Sequence, residues 1–126
     1  IAPQRIEGML TAQPEISQAM VFGDKRPHLV ALIVPDEELT LMWAEKNGLE
    51  SKPYDSLIEN NRFFSLISEA VDRVNNDLSV IEKVRRLTLT TEAFTIDNGM
   101  MTPTLKIRRH IINAKYSETL EALYGR

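Results

Sequence analysis

The segment most able to do chemistry is Thr102-Pro103-Thr104-Leu105-Lys106-Ile107-Arg108-Arg109, which follows an Asp97-Asn98-Gly99 turn and precedes a helical pattern. Two hydroxyls, one lysine and two arginines lie within eight residues. A lysine is a compact charge on a flexible stem, able to reach a phosphate or carboxylate oxygen. A mobile loop could carry such a group into a site and out again. Read from spacing alone, the segment is first a solvated basic turn at a helix start.

Other chemistry is poorly served. His28 and His110 stand far apart with no third ligand at metal spacing, so no metal site is expected. His28 is placed at the edge of a turn. There is no Gly-x-Ser-x-Gly elbow, no Gly-x-x-x-x-Gly-Lys-Ser/Thr phosphate loop and no Gly-x-Gly-x-x-Gly. Asp36-Glu37-Glu38 reads as helix N-terminal charge, not as a catalytic pair. Cysteine is absent, which excludes disulfides, thiolate metal sites and a cysteine nucleophile.

The elements that must position the lysine can be read in order. Pro3 suits a first helical turn, Ile6, Met9 and Leu10 mark one apolar face, and Gln13-Pro14 ends the helix. Residues 16–22 and 28–34 read as strands joined by the charged turn Gly23-Asp24-Lys25-Arg26-Pro27, a β-hairpin. The second strand is nearly all apolar and belongs in the centre of a sheet. Asp36 is the expected N-cap of a helix running to about Lys46, with Asn47-Gly48 as its stop. Residues 56–78 are helical in spacing, with Asn60-Asn61 a point of division. Val84 to Thr91 alternates as a strand, and two helical segments, 107–116 and 117–124, close the chain. Trp43, Phe63 and Phe64 are expected in the core. The fold class is therefore α+β, a small sheet containing a β-hairpin and flanked by helices.

Bulk properties agree with one domain. The chain has 126 residues, 43% of them hydrophobic and 26% charged, enough for a core of its own. The net charge of -3 gives no reason to expect a nucleic-acid partner. No apolar run approaches the ~20 residues that span a bilayer, and no signal peptide is visible. The chain opens on Ile1, not Met, and reads as a piece of something longer.

Three segments together resemble the C-terminal domain of AMP-forming acyl-CoA synthetases, nearest to the long-chain fatty-acid branch. They are Ile1-Ala2-Pro3-Gln4-Arg5-Ile6-Glu7, the hairpin from Ala19 to Asp36 with its Gly23-Asp24-Lys25-Arg26-Pro27, and Asn98 to Arg109, which matches the motif Asn-Gly-x-x-Thr-Pro-Thr-x-Lys-x-x-Arg. The resemblance implies that residues 1–126 are the C-terminal (lid) domain and that a large N-terminal domain is absent. It implies that Lys106 is the catalytic lysine, swinging into the active site during adenylation to meet the carboxylate and the α-phosphate. Thr104 and Arg109 would serve substrate binding, loop support or domain docking. Many relatives carry glycine just before this lysine; Leu105 stands there, as in long-chain enzymes.

The implied reaction is fatty acid plus ATP to acyl-AMP and pyrophosphate, then CoA to acyl-CoA and AMP. ATP, Mg²⁺ and CoA would belong to the full-length parent, with none held by this piece alone. The implied partners are the large N-terminal domain and those substrates; the implied location is cytoplasmic, with attachment to a membrane surface left open. A non-catalytic protein-interaction module and a synthetase for another carboxylic acid stand as alternatives.

Overall fold

The computed structural model describes residues 2–125; Ile1, which opens the first motif, lies outside them. Three strands form the sheet: β1 (Ile16–Phe22), β2 (Leu29–Pro35) and β3 (Val84–Leu89), in the order β1-β2-β3. β1 and β2 are the expected antiparallel hairpin. β3 runs parallel to β2, so the chain must cross over between them. It does so through α2 (Glu37–Lys46), α3 (Tyr54–Leu57) and α4 (Asn61–Asn75). α1 (Pro3–Thr11) precedes the sheet and α5 (Arg109–Ala122) follows it.

β2 is buried along its whole length, as its unbroken apolar run requires of a central strand. Its side chains alternate between two cores. Leu29, Ala31 and Ile33 join Val21, Val84 and Leu87 beneath Ile6 and Leu10 of α1 and Phe63, Ile67 and Val71 of α4. Val30, Leu32 and Val34 join Met20, Phe94, Met100, Ile112 and Leu120 on the opposite face, where α5 packs. The result is an α+β sandwich with helices on both faces of a small mixed sheet.

Strict alternation fails at two places, each with a register shift. The pairing of β1 slips between Ile16 and Gln18, and that of β3 slips so that Leu29 meets Val84 while Val30 meets Arg86. The extra residue in β3 is Arg85. This bulge lets Val84 and Leu87, three residues apart, face the same core.

Caps set the helix starts. The Asp36 carboxylate accepts from the Leu39 N–H, and the Asn60 side chain accepts from the Arg62 and Phe63 N–H groups, dividing α3 from α4. The two closing helical segments are joined in α5, which begins at Arg109 and has one non-helical residue, Tyr116, at the division. The hydroxyl of Tyr116 donates to Glu92 at 2.7 Å and lies 3.1 Å from the Thr90 hydroxyl, tying that break to the end of β3. Gly23 opens the hairpin turn because a Cβ there would stand 2.7 Å from Leu29 Cδ2 and 2.9 Å from the His28 carbonyl.

One core assignment is corrected. Phe63 is fully buried and meets Trp43 edge-on, but Phe64 is 37% exposed. Adjacent residues on a helix point about 100° apart, so only one of the pair can face the sheet. Trp43 is only partly buried, against the first core. Phe63→Ala is therefore expected to lower the unfolding free energy by about 3–5 kcal/mol, measured by urea denaturation, and Phe64→Ala by well under half as much.

Glu92 is held below its ordinary value of 4.5, first by the hydrogen bond from Lys115 and then by that from Tyr116. A depressed carboxylate contributes stability that is present in full above pH 4.5 and is lost as pH falls through the folded-state value. Unfolding curves collected on acidification from pH 5 should show this slope, and Glu92→Gln should flatten it.

Candidate functional site

Lys106 sits on a short turn that is pinned at both ends. Upstream, the Asn98 side chain closes the Asp97-Asn98-Gly99 turn: its Oδ1 accepts from the Thr95 and Met100 N–H groups at 3.0 Å each, and its amide donates to the Ala93 carbonyl. Gly99 takes φ +80°, the left-handed region that favours glycine. Met100 then enters the second core. Gln18 of β1 fastens the preceding segment, donating to the Phe94 carbonyl and accepting from the Phe94 N–H at 3.0 and 2.7 Å.

From there Met101 pairs with Ile107 as an antiparallel bridge. The turn between them is hydrogen-bonded throughout. The Thr102 N–H donates to the Lys106 carbonyl at 2.8 Å, the Leu105 N–H to the Thr102 carbonyl at 2.8 Å, and the Lys106 N–H to the Thr102 hydroxyl at 3.1 Å. The Thr104 hydroxyl stands 3.0 Å from that of Thr102. The motif's hydroxyls thus build the turn that carries the lysine, and Pro103 stiffens its tip. The sequence reading placed Lys106 on a mobile loop; the structure places it on a braced hairpin.

The Lys106 side chain is exposed and, among the described residues, has no ion-pair partner. It lines an open groove of about 640 Å³ with Gln4, Glu7 and Thr11 of α1, Ser17 and Gln18 of β1, and Arg109. Arg109 turns inward. Its guanidinium spans the Glu7 carboxylate at 2.7 and 3.0 Å and donates to the Val21 carbonyl at 3.0 Å. Glu7 is only 7% exposed and also accepts the Val21 N–H at 2.7 Å. The sequence reading named Arg109 but missed Glu7 and Gln18. The available signal for Glu7 was its place as the last residue of the first motif, a charge on the helix face beside Ile6.

The turn of the β1–β2 hairpin is clamped by the end of α5 and the residues just after it. The Tyr124 hydroxyl donates to the His28 carbonyl at 2.7 Å, and Arg26 lies 4.4 Å above the Tyr124 ring while pairing with Glu121. His28 borders the hairpin turn, its ring 4.9 Å from that of Tyr124. His110 is exposed at the start of α5. The two histidines are not brought together, and the described residues hold no group of three His, Cys, Asp or Glu side chains able to take a metal ion. No helix among them is long and apolar enough to cross a membrane.

A small mixed sheet with helices on both faces thus carries a braced Thr-Pro-Thr-Leu-Lys turn that leaves Lys106 exposed. The chain belongs to the AMP-binding enzyme C-terminal domain family, whose model matches residues 1–126. It is 34% identical to long-chain-fatty-acid–CoA ligase 1 of Homo sapiens, over 99% of this chain and 18% of that protein. It is 33% identical to long-chain-fatty-acid–CoA ligase FadD15 of Mycobacterium tuberculosis, over 100% of this chain and 21% of that one. The chain thus spans about a fifth of the length of these relatives. Among solved structures it resembles the adenylation domain of a carboxylate reductase from Mycobacterium chelonae, with a TM-score of 0.78 and 27% identity over 100% of this chain and 18% of the other.

The residue before the lysine sits in a conformation that favours glycine. Leu105 adopts φ +65° and is 69% exposed. Glycine occupies this conformation freely, whereas a side chain costs about 1–2 kcal/mol there. Leu105→Gly should therefore raise the unfolding free energy by about 1 kcal/mol and Leu105→Val should lower it, both read from urea midpoints. A loss of stability in Leu105→Gly would mean that the leucine side chain has a contact worth more than the strain.

Proposed function

We propose that this chain is the C-terminal lid domain of a long-chain fatty-acid–CoA ligase, and that Lys106 is its catalytic lysine for adenylation. The observation that carries the proposal is the presentation of Lys106: exposed, without an ion-pair partner among the described residues, on a braced turn within the Asn98–Arg109 motif. Two relatives named long-chain-fatty-acid–CoA ligases, at 33–34% identity, support the acid and the acceptor. The large N-terminal domain, ATP, Mg²⁺, CoA and the fatty acid are partners of the longer protein. No residue of this chain is assigned to Mg²⁺, because the described residues offer no set of metal-binding side chains. The chain alone is proposed to be inactive.

Attack of a carboxylate on the α-phosphate of ATP brings two anions together, and charge grows on the phosphate oxygens as pyrophosphate leaves. An ammonium fixed at that point lowers the barrier by offsetting this charge in a site emptied of water. It also holds the attacking oxygen in line. Lysine suits the task because its stem reaches beyond the turn while Thr102 and Thr104 keep the backbone in place. Arg109 stays with Glu7 and supports the turn, and Thr104 supports it through Thr102.

The likeness to the A-PCP didomain of a carboxylic acid reductase from Segniliparus rugosus, at a TM-score of 0.74 and 26% identity, favours a second reading, in which the same acid activation passes the acyl group to a carrier thiol other than CoA. Supplying the longer protein with acyl-AMP and free CoA separates them: thioester formation supports the ligase.

Lys106→Ala in the longer protein should lower the rate of acyl-AMP formation by about 10²–10³-fold, the scale of losing one preorganised charge donor. Thioester formation from supplied acyl-AMP should be nearly unchanged. Equal loss in both steps would mean that the residue acts through folding or docking. No loss in either would return Lys106 to a solvated basic turn.

A further inference from the structure

We infer that Arg109 acts as an electrostatic shield between Glu7 and Lys106, making Glu7 and Arg109 positioning residues for the lysine. Among the described residues, the groove that Lys106 lines contains three charged side chains, Glu7, Lys106 and Arg109, so Glu7 is the only carboxylate they bring to it. A carboxylate beside a lysine on a flexible stem is the ordinary partner for that ammonium. Here both Glu7 oxygens are taken. One accepts from Arg109 Nη1 and the Val21 N–H at 2.7 Å each, the other from Arg109 Nη2 at 3.0 Å.

The choice of arginine matters. Its planar fork satisfies both oxygens at once and does not lose its proton. Its third contact, to the Val21 carbonyl at 3.0 Å, fixes the guanidinium against β1. Lysine at 109 could offer one charge but not this geometry. With Glu7 neutralised in place, the described residues bring one uncompensated charge to the groove, on Lys106. An incoming anion then meets a free ammonium instead of one already engaged. Arg109 lies three residues after Lys106, so the pair that masks the carboxylate also fixes the chain just after the lysine turn.

This inference rests on the proposed role of Lys106, but its first test does not. The 126-residue chain is treated with a limiting amount of an amine-acylating N-hydroxysuccinimide ester at fixed pH. Modification of Lys106 is followed by peptide mass spectrometry, with exposed Lys52 as the internal reference. In Arg109→Met the freed Glu7 should engage Lys106 and slow its acylation about two- to fivefold, the scale of an exposed ion pair. Adding Glu7→Gln, which can still accept the Val21 N–H, should return the rate to that of the wild type. Arg109→Lys should give an intermediate slowing and carries the same test should Arg109→Met fail to fold.

An unchanged rate in the folded Arg109 variants would overturn the inference. So would slowing that persists in Glu7→Gln/Arg109→Met, since that would be a distorted turn and not a freed charge. In the longer protein, the double variant should form acyl-AMP faster than Arg109→Met. If Lys106→Ala leaves adenylation untouched, the proposed function fails while the acylation result still decides the shielding.

Discussion

The ion pair between Glu7 and Arg109 is the constraint on which the rest of the site depends. It joins residues 102 positions apart and holds α1, β1 and the start of α5 at one point. Removing a carboxylate from water costs several kcal/mol unless its oxygens are matched. Glu7 meets that condition with two guanidinium N–H groups and one backbone N–H. Arg109 is only partly exposed and also donates to the β1 backbone, so the pair behaves as an internal tie and not as a surface bridge. Deleting either partner would leave a charge without its match, a larger loss than the net worth of the pair.

That tie explains how a small domain can present a lysine rigidly. Two cores on opposite faces of β2 fix α1 and α5 relative to the sheet. Met100 and Ile112 anchor the segments before and after the lysine turn in the same core. Between them the turn is closed by its own threonine hydroxyls and backbone. Little of this can flex without breaking hydrogen bonds. On the role proposed for Lys106, rotation of the whole domain would carry it into and out of a site better than bending of the turn, with the lysine stem as the one flexible part.

What the sequence made legible was local. Asp36 and Asn60 announce their helices because a cap acts within three residues. The hairpin is readable because its turn residues and its apolar run are contiguous. The parallel pairing of β3, the bulge at Arg85, the Gln18 contacts to Phe94 and the Glu7–Arg109 pair were not readable. Each depends on residues far apart in the chain, and nothing in the local pattern marks their partners. Phe64 misled because apolar neighbours on a helix look alike until the sheet's direction is known. Lys106 was found through the resemblance of its motif, but the left-handed backbone at Leu105, a conformation that favours glycine, was not readable from it.

The most direct measurement is the structure of the longer protein bound to its acid and an ATP analogue that cannot be cleaved between the α- and β-phosphates. The account requires Lys106 Nζ within about 2.7–3.2 Å of an α-phosphate or carboxylate oxygen, with Arg109 still on Glu7. A different cation at the α-phosphate, with Lys106 left in solvent, would contradict it.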